Sequence, residues 1–319
     1  MKVSPFSLRN LSSLARGRMP GQLIIQYTDR CNATCPQCEM RKQNAYQRSS
    51  LDVDTGKRIL DAARQKNVQA VSFTGGEPLL ARNDVLELIR HAGKLGIPYI
   101  RTGTNGFLLM GVDKPNWEKR VRELAENLAE TKIYTFWISV DSVDAEVHEQ
   151  MRGLPGVMRG IERAIPIFEE YGIYPSANLG INRNAGGDYR KLLPADSFDP
   201  ARFYDHFRGG FDRFYRKMTD LGFTIINMCY PMSIEAPNSD SPLAVYGATS
   251  TDTIIRFTAA EKVQLFSALL DTVPEHRGRI RIFTPLTSVL SLVRQYQAQL
   301  RNEPAAPAYG CRGGVDFFF

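Results

Sequence analysis

Three cysteines fall within eight residues in the segment TDRCNATCPQCEM, at Cys31, Cys35 and Cys38, with three residues and then two between them. A short loop carrying sulfurs at this spacing can wrap one side of a metal centre. In an iron–sulfur cubane each iron takes one thiolate. Three cysteines therefore leave one iron of a 4Fe–4S cluster open to a small chelator, as a catalytic zinc keeps one position for substrate. A zinc site completed by histidine is the competing reading. None of His91, His148, His206 and His276 stands at zinc-finger spacing from the loop. The other two cysteines, Cys229 and Cys311, are remote. An odd count with one tight cluster points to metal rather than to a disulfide framework.

Further polar motifs recur downstream. Thr74-Gly75-Gly76-Glu77-Pro78 pairs two glycines, which let backbone approach a ligand closely, with a carboxylate able to accept hydrogen bonds from an ammonium group; a plain turn is the alternative. Thr102-Gly103-Thr104-Asn105-Gly106 ends in a turn dipeptide. Ser139-Val140-Asp141-Ser142 offers short polar side chains suited to ribose hydroxyls, and Asp141 is a candidate for facing a substrate. His148 and Arg152 follow one helical turn apart, placed to orient that loop by hydrogen bonds. Asn178 and Asn182 share a face if the strand is regular throughout. Cys229 reads either as a small buried hydrophobe or as a hydrogen-atom donor to a substrate radical.

The elements that must position these motifs alternate. Strands are expected at Gln22–Thr28, Ala70–Thr74, Pro98–Thr102, Ile133–Val140, Tyr174–Ile181 and Phe223–Met228. Helical patterns lie between them at Asp54–Lys66, Asn83–Leu95, Trp117–Glu130, Met158–Tyr171 and from about Arg202, with a break or kink expected at Pro166. Alternating β and α units imply a parallel sheet with right-handed crossovers. Periodicity leaves a doubly wound sheet and a barrel both open. In either, the loops after the strands carry the chemistry, and each motif follows a strand.

The cysteine spacing after a first strand, TGGEP, the TNG segment and SVDSVDAEVHEQMRG together resemble the radical S-adenosylmethionine (SAM) superfamily over about residues 22 to 230. The resemblance implies a partial (β/α)6 TIM-like barrel of α/β class. It implies a 4Fe–4S cluster on Cys31, Cys35 and Cys38, whose open iron chelates the methionine end of SAM. It assigns SAM contacts to Gly75, Gly76, Glu77, Thr104, Asn105, Ser139, Asp141, Arg152, Asn178 and Asn182. Reductive cleavage of SAM to a 5′-deoxyadenosyl radical and hydrogen abstraction from a substrate would follow. An electron donor such as flavodoxin or ferredoxin is implied as partner. Gln37 stands where the family usually has an aromatic residue beside adenine, so that contact is not carried over.

The substrate is not legible. Peptide or protein modification is the leading expectation, with a cofactor or lipid intermediate as the alternative. A non-catalytic zinc or iron–sulfur interaction module is the rival class. The string from Tyr309 to Phe319 resembles the opening of a SPASM module, which carries auxiliary clusters; Cys229 and Cys311 are too few to hold one, so such a cluster is expected only in a longer chain. An edge strand with an incidental cysteine is the other reading of that tail.

Residues 1–20 are expected to be an N-terminal helical extension, 21–235 the core, 236–303 a C-terminal α/β appendage and 304–319 the start of the possible module. With 319 residues, 43% hydrophobic and 23% charged, and a mean hydropathy of −0.28, the chain reads as globular and cytoplasmic. No apolar run reaches membrane-span length, about 18 residues. The net charge of +6 is spread along the chain. The basic and aromatic stretch Arg202–Lys217 also holds Asp205 and Asp212 and suits an amphipathic helix better than a nucleic-acid surface.

Overall fold

The computed structural model describes residues 21–38, 47–192, 198–231 and 252–304, with the backbone of Phe317–Phe318. The N-terminal extension, the 236–251 loop and Cys311 lie outside the described residues. Strands β1 (Gln22–Thr28), β2 (Ala70–Gly75), β3 (Tyr99–Thr104), β4 (Ile133–Ser139), β5 (Ser176–Gly180) and β6 (Ile225–Cys229) match the six expected. They are joined by β7 (Arg281–Ile282) and β8 (Phe317–Phe318). All pair in parallel in the order β7-β6-β5-β4-β3-β2-β1-β8.

From β1 to β7 the order follows the chain, and this decides between the two architectures left open. A doubly wound sheet reverses direction at a switch point; this one does not. Right-handed crossovers that always advance the same way put their helices on one face, and the other face is left to enclose a cavity. With β7 and β8 at opposite edges the sheet is an open partial barrel.

The alternation within strands serves the two faces. Leu23, Ile25 and Tyr27 of β1, Val71 and Phe73 of β2, and Phe136 and Ile138 of β4 are buried on the helix side. One core cluster joins β1–β3 to helices α1 (Val53–Gln65) and α2 (Arg82–Lys94). A larger one lies beneath α3 (Trp117–Ala129) and α5 (Val157–Glu170), the latter following the short α4 (Ala145–Arg152). It continues beyond the single turn α6 (Tyr189–Leu192) to α7 (Pro200–Asp220), α8 (Ala259–His276) and α9 (Leu286–Leu300).

Pro166 does not end α5, which runs through it to Glu170. Ile161, Ile165, Ile167 and Phe168 pack into the core on both sides of the proline, and that burial outweighs one lost backbone hydrogen bond. Helix starts follow side-chain caps: Asp144 accepts from the amides of Glu146 and Val147, Asp199 from those of Ala201 and Arg202, and Thr258 forms a capping box with Glu261. At the C-terminal end, Phe317 and Phe318 align with Gln22 and Leu23 as an edge strand.

Candidate active site

The cysteine loop leaves β1 and is seated on two neighbours. Gly76 N–H donates to the Thr28 carbonyl at 2.6 Å and Glu77 N–H to that of Arg30 at 2.8 Å. A Cβ on Gly75 would stand 2.1 Å from the Thr28 oxygen, and one on Gly76 2.1 Å from the Arg30 oxygen. Gly75 also has φ +147°. The two glycines are therefore required by this backbone-on-backbone contact, whatever binds beside them. On the other side, Thr34 N–H donates to the Arg152 carbonyl at 2.8 Å. Gly153, at φ +65°, leaves room for the Thr34 side chain.

Cys31, Cys35 and Cys38 are all partly buried and open on one cavity of about 540 Å³, within the range of small-molecule sites. Gly75, Gly76, Glu77, Thr104, Asn105, Ser139, Asp141, Arg152 and Asn178 line the same cavity. The motifs after β1 to β5 thus converge as expected.

Asn182 stands apart from them. The strand ends at Gly180, so the alternation that would place Asn182 beside Asn178 does not extend that far. Its buried amide instead donates to the carbonyls of Asp141 and Gly180, both at 2.8 Å. Cys229 is exposed rather than buried, and its thiol donates to Asn178 Oδ1 at 3.3 Å.

Glu77 is 1% exposed. It accepts from Leu79 N–H at 3.0 Å and from Asn105 N–H at 2.6 Å. Burial outweighs these bonds and pushes its carboxyl up to about 7, so a cation beside it would restore the ionised form. Asp141 Oδ2 meets the Arg152 guanidinium at 2.6 Å and the Gln37 amide at 2.6 Å. Asp141 N–H donates to His148 Nδ1 at 3.0 Å, which leaves Nε2 to carry the proton of the neutral ring. Burial, helped by the Arg152 charge, holds His148 down to about 4. Gln37 Oε1, His148 Nε2 and Arg152 Nε are buried polar atoms still without a partner among the described residues. Gln37, absent from the expected contacts, is the bridge between the cysteine loop and the end of β4. Its place directly before Cys38 was the available signal.

A fit to one zinc ion and a fit to a cluster differ in geometry. A tetrahedral ion with bonds of about 2.3 Å needs sulfurs about 3.8 Å apart. Among the described residues, ligand atoms of three side chains gather within 4.8 Å of one another at Asp212, Glu275 and His276, and not at the three cysteines. The wider trio suits a polynuclear centre. Burial also pushes the Cys35 thiol up to about 12, so ligation there must displace a proton.

Residues 25–181 match the family described as the radical SAM superfamily. This part of the chain belongs to that superfamily. An AdoMet-dependent heme synthase of Oleidesulfovibrio alaskensis is 27% identical over 159 residues, covering 50% of this chain and 38% of that protein. A PqqA peptide cyclase of Rhodopseudomonas palustris is 30% identical over 138 residues, covering 43% of this chain and 33% of that protein. The chain therefore spans well under half the length of these curated relatives. The crystal structure of Streptococcus suis SuiB bound to S-adenosylmethionine shares the fold, with a TM-score of 0.52 at 15% identity over 89% of this chain and 55% of that one. The superfamily uses a 4Fe–4S cluster and SAM. Among the described residues no helix is long and apolar enough to cross a membrane.

Proposed function

We propose that the chain is a SAM-cleaving enzyme whose cluster is held by Cys31, Cys35 and Cys38. The observation that carries this reading is that the three thiols open on the one cavity that the TGGEP loop and the ends of β3 to β5 also line. When bound, the cluster supplies the electron that splits SAM into methionine and a 5′-deoxyadenosyl radical. The chain's own residues bind and orient. Glu77 accepts from the methionyl ammonium, with Thr104 and Asn105 fixing its carboxylate. Ser139 and Asn178, facing inward from adjacent paired strands, receive the ribose. The Asp141–Arg152 pair holds the rim of the cysteine loop and presents charge to the cofactor's polar end.

Hydrogen abstraction from a substrate would follow, for which peptide or protein is the leading class; similarity to a peptide cyclase supports it. Similarity to a heme synthase supports the alternative, a cofactor intermediate. The electron would come from a flavodoxin- or ferredoxin-type donor. Anaerobically purified protein, reduced with dithionite, should convert SAM to methionine and 5′-deoxyadenosine without added substrate. A colourless zinc protein, or a full cluster that yields no 5′-deoxyadenosine, would favour the interaction-module reading instead.

A further inference from the structure

The cavity extends from the cysteine loop down the inner face of the sheet to Arg101, Trp137, Asn227 and Phe283. A second pocket of about 220 Å³ lies at the N-terminal ends of β3, β4, β6 and β7, lined among others by Tyr99, Tyr134 and Arg281. Arg101, Trp137 and Phe283 line both spaces and so form the floor of one and the roof of the other.

Arg101 is the third residue of β3, where Ile100 and Thr102 are buried on the helix side and Arg101 takes the opposite face. A cation at such a position ordinarily has a carboxylate opposite it. The acids lining the cavity are Glu77, held by two backbone amides, and Asp141, held by Arg152. Among the described residues the Arg101 guanidinium has no ion pair or hydrogen bond; its carbon lies 5.6 Å from the centroid of the Phe283 ring. Burial first, and the like charge of Arg281 in addition, pull Arg101 below its usual value. Arg281, exposed at the second pocket, also makes no ion pair among the described residues. Two guanidiniums without an ion pair among the described residues thus meet at this boundary, Arg101 within the floor and Arg281 on the side of the second pocket, beside aromatic rings.

We infer that Arg101, assisted by Arg281, receives an anionic group of the substrate, a carboxylate or a phosphate, at the floor of the cavity. A guanidinium fork matches the oxygens of either group, and Trp137 and Phe283 would flank the carbon skeleton. The anchored group would sit at the end of the cavity away from the cysteine loop, leaving the rest of the substrate to reach up toward it. This rests on the reading of the cavity as a SAM-cleaving site.

The chain has two tryptophans, Trp137 on this floor and Trp117 buried in α3 with its indole N–H on the Leu109 carbonyl. Emission from Trp137, assigned with Trp137→Phe, reports on the site. Titration with inorganic phosphate and, separately, with benzoate at constant ionic strength should give a saturable change with at least one of them, and the stronger of the two identifies the group. Arg101→Gln should raise the half-saturating concentration at least tenfold, Arg101→Lys less, and Arg281→Gln two- to fivefold. No saturable change in the wild type, or half-saturation unmoved by both glutamine variants, overturns the inference. Circular dichroism checks folding, and the exposed Arg281→Gln and the charge-keeping Arg101→Lys still decide if Arg101→Gln is unfolded. The titration uses neither reductant nor SAM, so its outcome is separate from whether the protein cleaves SAM.

Discussion

Two groups of metal-ligating side chains lie on opposite sides of the sheet, and they differ in what surrounds them. Asp212, Glu275 and His276 bring their ligand atoms within 4.8 Å of one another on the helix side. Each is already engaged. Asp212 meets Arg216 at 3.0 Å and His276 at 3.0 Å, Glu275 meets Arg208 at 2.6 Å, and the His276 ring stacks on Tyr215. The cysteine trio is less closely gathered but opens on a cavity with glycine loops and a buried carboxylate beside it. Proximity of ligand atoms is therefore a poor guide to a metal centre; the cations already paired with its two carboxylates mark the first group as structural.

The largest effect should come from the cysteines. Replacing Cys31, Cys35 or Cys38 by Ala should abolish iron binding and 5′-deoxyadenosine formation, whereas His276→Ala should leave iron per chain unchanged. A brown cluster surviving in the triple cysteine variant would end the contrast between the two groups.

Next is Arg152→Gln, which strands the buried carboxylate of Asp141. Breaking such a pair costs about 3–5 kcal/mol, and chemical denaturation should show it, together with lower cluster loading because the Asp141 carboxylate that Arg152 holds also accepts from Gln37 of the cysteine loop. Stability within about 1 kcal/mol of wild type, the usual range for an exposed pair, would place the pair in solvent.

Glu77→Ala should keep the cluster and weaken SAM binding about ten- to a hundredfold, from the loss of a charged hydrogen bond worth about 1.5–3 kcal/mol. Equilibrium binding to the oxidised, cluster-loaded protein measures it; unchanged affinity would move Glu77 out of the site.

The smallest effect belongs to the other group. Hydrogen bonds from Arg216 and His276 hold Asp212 below the usual carboxylate range against its desolvation. Its folded-state pKa is depressed, so its contribution is present above the unfolded value of about 4 and lost as pH falls through the folded one. Being partly exposed, it is worth about 1 kcal/mol or less. Asp212→Asn should lower the melting temperature slightly at pH 7 and not at pH 3. An equal loss at both would mean that packing, not charge, is what Asp212 supplies.

Much of this was legible in the chain. Six strands and the order of the motifs follow from β-branched runs broken by polar loops, and convergence follows from parallel topology alone. What was not legible depended on neighbours. Pro166 signals a break, but only the packing of Ile161 to Phe168 shows that the helix survives it. Asn182 obeys the alternation of β5 only if the strand continues, and its end at Gly180 has no local signal. Gln37 and Arg101 were visible as residues. Their meaning lies in what stands opposite: Asp141 for the first, and an aromatic ring without a carboxylate for the second.

The one-directional strand order also divides labour between residues of the same strand. Outward positions such as Val71, Ile100 and Ile226 are buried beneath the helices, while their immediate neighbours Ser72, Arg101 and Asn227 face the cavity. A mutation at an inward position changes what the cavity accepts while leaving the buried side chains of that strand in place. Lineages carrying this sheet can therefore trade one substrate for another through single substitutions on the inner face, without first acquiring a compensating change in the core.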